Sequence, residues 1–157
     1  MITIDIPDFQ KVLVKHLVLD FNGTIANNGV IITGVKERLK LLAKDVTIHI
    51  ITADTFGHAG DQLKKVDCNI VVLKGDNQQR QKANYIAEIG KENVIAIGNG
   101  RNDALMLKDA AIGIIVIQQE GASKEAFDNS DIICSNIINA LDLVSNPLRM
   151  KASLRNA

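Results

Sequence analysis

Leu19-Asp20-Phe21-Asn22-Gly23-Thr24 ends an apolar run with a carboxylate, an amide, a glycine turn and a hydroxyl. An Asp in that position can serve as a nucleophile or a metal ligand, although a capped loop between strand and helix would carry the same residue. A second apolar run ends in Thr52-Ala53-Asp54, whose hydroxyl can hold an anionic oxygen or simply cap a helix. A third ends in Gly98-Asn99-Gly100-Arg101-Asn102-Asp103. Its glycines allow close backbone approach, and Asn99, Asn102 and Asp103 carry oxygen donors of the kind magnesium prefers; a plain capped turn is the alternative. Lys82 opens a helical segment 16 residues before Gly98. That interval accommodates about two to three helical turns, a loop and a strand, and so returns the ammonium to the same edge. Lys74 directly follows another apolar run and competes for this role, but the interval favours Lys82.

The elements that must position these groups are legible as alternating patterns. Val- and Ile-rich runs at 12–19, 46–51, 69–73, 93–97, 112–117 and 131–133 read as strands. Helical spacing appears at 34–44 (Val35, Leu39, Leu42), 78–90 (Ala83, Ile86, Ala87) and 136–145 (Ile137, Ile138, Leu141, Val144). Near-continuous apolar strands alternating with amphipathic helices predict an α/β fold, a three-layer doubly wound parallel sheet with right-handed crossovers. Ligands bind such sheets at the carboxyl ends of the strands, which is where the candidate residues fall. In the segment 25–32, Asn28-Gly29 between short apolar pairs predicts a tight hairpin, a flap too short to be a cap domain. The tail NPLRMKASLRNA reads as a terminal helix, with a dimer contact or an anionic partner as alternatives.

The 157 residues correspond to one domain, 1–157. With 46% hydrophobic and 23% charged residues the chain is neither disordered nor fibrous. Eighteen basic residues balance eighteen acidic ones, removing the global reason to expect nucleic acid or a membrane surface as partner. No apolar run approaches ~18 residues, and MITIDIPDFQ lacks the basic start of a signal peptide, so a cytoplasmic location is expected. Cys68 and Cys134 lie at no metal-ligand spacing and read as small buried or half-buried residues. Aromatic residues make up only 3%, which argues against base-stacking platforms and points to a small polar ligand. His16 and His49 fall inside strands and read as structural; His58, near the loop after Thr52, is a candidate substrate contact.

Asp20-x-x-Gly23-Thr24, Thr52, Lys82 and Gly98-x-Gly100-x-Asn102-Asp103 occur in an order and spacing that resemble the haloacid dehalogenase-like superfamily of phosphohydrolases. The resemblance spans residues 12–117, and within the superfamily it is most similar to a free-standing phosphorylation domain of P-type ATPases. It implies a Rossmann-like core in which Asp20 attacks a phosphoryl group to form an aspartyl phosphate. It also implies magnesium held by Asp20, the Asn22 carbonyl, Asn99 and Asp103. Phosphate oxygens would be bound by Thr52, Ala53, Lys82 and the backbone N–H groups of Phe21, Asn22, Gly23 and Thr24. The ligand implied is a small phosphorylated substrate, and an uncapped site of this kind is often closed by a neighbouring subunit, which is compatible with a homo-oligomer.

Two residues depart from that pattern. Asn22 stands where these phosphatases usually carry the Asp that protonates the leaving group and activates water, help worth ~10²- to 10⁴-fold. Asn99 stands where an Asp is usual, removing one negative charge from the metal site. The expected substrates are therefore activated phosphates, namely ATP or acyl and aryl phosphates, whose leaving groups need little protonation. A catalytically impaired regulatory or binding relative is the alternative. A dehalogenase, which also lacks the second Asp, is the third reading.

Overall fold

The computed structural model describes residues 1–54 and 57–156. Its centre is a six-stranded parallel sheet formed by β3 (His16–Asp20), β6 (Thr47–Thr52), β7 (Asn69–Val72), β8 (Val94–Gly98), β9 (Ile112–Val116) and β10 (Ile132–Cys134). The strand order is β10-β9-β8-β3-β6-β7, so β3 is central and the chain winds outward to both sides of it. Two helical layers enclose the sheet. α1 (Val35–Leu42) and α6 (Ile137–Val144) lie on one face, and α3 (Gln78–Ile89), α4 (Ala104–Asp109) and α5 (Lys124–Asp128) on the other. This is the expected three-layer doubly wound architecture, with no cap domain among the described residues. No helix among them is long and apolar enough to cross a membrane.

The inner strands are apolar throughout because both of their faces are covered. Within β3, Leu17 and Leu19 enter the layer containing Val35, Leu39, Ile137 and Leu141, while Val18 enters the layer containing Ile86, Ala104 and Met106. Side chains alternate along a strand, so Asp20 projects to the same side as Val18, toward α3. That parity brings the first candidate carboxylate to the helix that carries Lys82.

The run 12–19 is two strands and not one. Gln10–Val14 is β2, which pairs antiparallel with β1 (Ile2–Ile6), and β3 starts at His16. Lys15 passes between them, donating its N–H to Asn93 O at 2.9 Å and accepting from Thr47 N at 2.9 Å. The boundary is visible as a change of period. Val12 and Val14 are buried on one face while Lys11 and Leu13, alternating with them, are exposed, whereas Leu17, Val18 and Leu19 are buried without interruption. The β1–β2 hairpin covers the α1/α6 layer together with α7 (Pro147–Leu154), whose Met150 is buried in the same core. The tail is thus a docked helix.

The flap is β4 (Ala26–Asn27) and β5 (Val30–Ile31), joined by Asn28 at φ 50° and Gly29 at φ 77°. Both turn residues are left-handed, as a two-residue hairpin of this type requires. Gln62 of α2 (His58–Gln62) holds the flap from outside, donating to Gly29 O at 2.7 Å and accepting from Ile31 N at 2.8 Å.

Gly113 of β9 lies under the end of α4, where an added Cβ would sit 2.3 Å from Leu107 O. A backbone oxygen cannot swing aside as a side chain can. Gly113→Ala is expected to cost about 1–3 kcal/mol as overpacking, and a thermal melt should show a lower midpoint with circular dichroism unchanged at room temperature.

Candidate active site

The carboxyl ends of β3, β6 and β8 open into a cavity of about 230 Å³ lined by Asp20, Asn22, Thr52, Ala53, Gln78, Lys82, Asn99, Gly100, Asn102 and Glu120. Candidates carried by three strands and one helix therefore converge, Asp20 and Asn22, Thr52 and Ala53, Asn99, and Lys82. Lys82 lies in the second turn of α3 and not at its start, and its side chain is fully buried. Its Nζ donates to Asp20 Oδ1 at 2.7 Å and to Asp103 Oδ1 at 2.6 Å. Lys74 is exposed and does not line the cavity. Asp103 lies behind the wall, fixed by Asn99 N–H at 3.0 Å and Gly100 N–H at 2.9 Å, both donating to Oδ2. Gly98 makes room for it, since a Cβ there would meet Asp103 Cγ at 2.5 Å.

The loop after Asp20 is held from three sides. Gly23 takes φ 80°, and a Cβ on it would strike Asn99 Nδ2 at 2.4 Å. The Thr24 hydroxyl lies 3.1 Å from Asp20 Oδ2 and 3.1 Å from Asn99 Oδ1, so its single proton serves one of them at a time. Asn99 Nδ2 donates to Gly121 O at 3.1 Å, tying the loop after β9 to the site. Gln118 closes the set. Its Nε2 donates to Gly23 O (3.1 Å) and Thr24 O (2.8 Å), while its Oε1 accepts from Ile137 N at 2.8 Å. Gln118 sits just after the fifth strand of the sheet, so the strand-end rule alone could have singled it out. Gln78 and Glu120 carried no comparable signal.

The expected backbone cradle at 21–24 is smaller than the sequence suggested. Gly23 N–H donates to Ala26 O at 2.8 Å and Thr24 N–H to Phe21 O at 3.3 Å, because the tight turn into the flap needs those bonds. Phe21 and Asn22 are the remaining candidates of that group. Thr52 Oγ1 accepts from Asp54 N at 2.9 Å, which leaves its own proton available to an anion. His58 opens α2 and does not line the cavity. His16 and His49 are structural: His49 Nε2 lies 3.0 Å from His16 Nδ1 and His49 Nδ1 2.7 Å from the Tyr85 hydroxyl. Cys134 is buried and Cys68 half-buried, both as free thiols.

Two buried carboxylates share one ammonium, leaving a net charge of −1. Desolvation, followed by repulsion from Asp103, pushes the Asp20 carboxyl up to about 6 against the pull of Lys82. The same two carboxylates hold the Lys82 ammonium above its ordinary range, outweighing its burial. The site thus has an unmet demand for positive charge. Among the described residues no group of three or more His, Cys, Asp or Glu side chains is placed to hold a metal ion. The Asp20 carboxylate with the Asn99 amide and the Asn22 backbone oxygen at the cavity nevertheless suits a hard divalent cation such as magnesium, which keeps several waters and uses one or two protein carboxylates.

Because Asp20 has a folded-state value near 6 against an ordinary 3.8, the folded chain binds more protons than the unfolded one between those values. Its contribution to stability is complete below the ordinary value and is lost as pH rises through about 6. In chelator, Asp20→Asn is expected to melt on the order of a few degrees above wild type at pH 8. The gap should close toward pH 5, as thermal melts across pH will show.

No family model matches the sequence. MJ0073 of Methanocaldococcus jannaschii, an uncharacterized protein, is 44% identical over 87 residues, covering 53% of this chain and 94% of that protein. MJ0072 of the same organism, also uncharacterized, is 54% identical over 39 residues, covering 25% of this chain and 89% of that protein. Among solved structures, 3-deoxy-D-manno-octulosonate 8-phosphate phosphatase from Moraxella catarrhalis, in complex with magnesium ion, phosphate ion and KDO, superposes with a TM-score of 0.71 at 15% identity. It covers 85% of this chain and 87% of that one. The cobalt-bound form of the deoxy-D-mannose-octulosonate 8-phosphate phosphatase from Haemophilus influenzae gives 0.71 at 12% identity, covering 92% of this chain and 94% of that one. An apo phosphoserine phosphatase gives 0.67 at 13%, covering 85% and 98%. The chain belongs to one family with MJ0073, and its fold is that of the haloacid dehalogenase-like hydrolases.

Proposed function

We propose that the protein is a magnesium-dependent phosphohydrolase that works through an aspartyl phosphate on Asp20 and favours activated phosphates. The observation that carries this reading is the buried Lys82 ammonium within 2.7 Å of Asp20 and 2.6 Å of Asp103, at the floor of a cavity open at the strand ends. The magnesium and phosphate of the Moraxella structure and the cobalt of the Haemophilus one support a divalent cation here.

The Asp20 carboxylate attacks phosphorus, and the bond from phosphorus to the leaving oxygen breaks with its electron pair on the leaving group. Lys82 and the Thr52 hydroxyl bind the phosphoryl oxygens, and Lys82 also keeps Asp20 ionised and aimed. A divalent cation bound by Asp20, the Asn22 carbonyl and Asn99 would neutralise charge on those oxygens; Asp103, expected from the sequence as a further ligand, has both oxygens taken by Lys82 and by the Asn99 and Gly100 N–H groups behind the cavity wall. Water then attacks phosphorus, the acyl phosphate bond breaks, and Asp20 regains its carboxylate as inorganic phosphate and a proton leave. Asn22 is exposed at the cavity and cannot carry the proton in either step. Aryl and acyl phosphates and ATP, with stable leaving groups, are therefore the expected substrates. Asn22 also supports the second reading, a relative that binds phosphate with little turnover.

The test is phosphate release from a panel of alkyl, aryl, acyl and nucleotide phosphates, with magnesium and with chelator. Release from the activated members that depends on magnesium supports the enzyme. Binding of orthovanadate without turnover of any member would favour the second reading, and chloride release from a haloacid the third.

A further inference from the structure

We propose that β7 is a dimer interface, along which two copies of this chain join antiparallel into one continuous twelve-stranded sheet, through a two-fold axis at Val71. This goes beyond the proposed chemistry and does not depend on it.

β7 is one rim of the sheet and, among the described residues, pairs only with β6. The ladder decides which of its groups remain free. Leu73 N–H donates to Thr52 O at 2.8 Å, and Thr52 stands opposite Val72 in register. In a parallel ladder the residues that bond inward alternate, so Asn69, Val71 and Leu73 direct their N–H and C=O toward β6. Ile70 and Val72 direct theirs outward. These two side chains are also among the exposed large aliphatic ones, at 36% and 41% of full exposure. An exposed aliphatic edge with free backbone groups is the form of strand that soluble proteins normally cover or charge. Among the described residues nothing covers this one.

The geometry selects a second copy as occupant. Opposed residues of an antiparallel pair point to the same face, and a two-fold axis normal to the sheet preserves faces, so the register must place Ile70 opposite a residue of even number. Ile70 against the second copy's Val72, and Val72 against its Ile70, turns both outward residues into hydrogen-bonded pairs with their side chains in contact. Val71 then faces Val71 across the axis. A cavity of about 340 Å³ bounded by Val71, Val72, Leu73, Gln81, Tyr85 and others leaves room for the second Val71 on the α3 side. The exposed Asp67 precedes β7 and the exposed Lys74 follows it. Antiparallel pairing brings the acidic end of each copy to the basic end of the other, whereas parallel pairing would set like against like. Such an isologous contact closes at two subunits.

Sedimentation over a rising protein concentration should show the mass moving from 17.1 kDa toward twice that value. Val72→Lys, at an exposed position, should hold the chain monomeric with an unchanged circular dichroism spectrum. In a Cys68→Ser, Cys134→Ser background, Val71→Cys should form an intermolecular disulfide with oxidised glutathione, since non-hydrogen-bonded antiparallel pairs hold their Cβ atoms closest. Asn69→Cys in the same background should not. A chain monomeric at every concentration overturns the proposal, as does a dimer indifferent to Val72→Lys. So does a dimer dissolved by Ile133→Lys on the opposite rim, or cross-linking at 69 equal to that at 71.

Discussion

Asp20→Asn is expected to lower turnover of every phosphate substrate by at least ~10³-fold while leaving the fold intact. The amide is nearly isosteric with the carboxylate but carries no anionic oxygen to attack phosphorus. The variant should fold at least as well as wild type, because Lys82 keeps Asp103 as a partner at 2.6 Å and one of two mutually repelling carboxylates is gone. Lys82→Ala should cause a loss of ~10²- to 10³-fold through missing charge on the phosphoryl oxygens. Unlike Asp20→Asn it should also lower stability, since two buried carboxylates lose their counter-ion. Lys74→Ala should change neither property. Initial rates on an aryl phosphate together with melting curves separate these cases. Residual activity of more than a few per cent in Asp20→Asn would remove Asp20 from the nucleophile's role. An inert Lys82→Ala with a damaged Lys74→Ala would transfer the phosphate contact to the exposed lysine.

With acetyl phosphate or ATP and magnesium, wild type should accumulate an acid-stable, hydroxylamine-sensitive phosphoenzyme at a substantial fraction of sites. Its formation from a good leaving group needs little proton transfer, whereas its hydrolysis needs an activated water. Asn22, exposed at the cavity, offers no base for that water, and loss of such help is worth ~10²- to 10⁴-fold. Breakdown should therefore be the slow step. Asn22→Asp should lower the steady-state phosphoenzyme and raise alkyl phosphate hydrolysis more than aryl. Rapid quench after mixing with labelled donor measures the first effect, and the alkyl to aryl rate ratio the second. Turnover without detectable phosphoenzyme, or an unchanged ratio in Asn22→Asp, would mean that residue 22 does not stand at the proton-transfer position.

The architecture and the central residues of the site could be read from the chain itself, for a physical reason. A parallel sheet covered on both faces needs uninterrupted apolar strands, so Leu17-Val18-Leu19 or Val94-Ile95-Ala96-Ile97 cannot be mistaken for half-exposed strands. Polar residues directly after such runs, Asp20, Thr52 and Asn99, must then gather at one edge whatever the order of the strands. Other features depended on contacts between distant residues. The split of 12–19 into two strands rests on Lys15 bonding to Asn93 and Thr47, and the period change that accompanies it spans too few residues to stand alone. The reach of Lys82 was arithmetic in the sequence, but its simultaneous hold on Asp20 and Asp103 is decided by the parity that turns Asp20 toward α3. The tie of Gln118 to the loop after Asp20 joins residues 94 and 95 positions apart. The use of Gly23 and Thr24 N–H groups inside their own turn follows from the fold of the flap. A local pattern specifies which residues face a core and which end a strand. Which polar groups are already spent on one another, and which remain for a ligand or a second subunit, is settled only when the sheet is assembled.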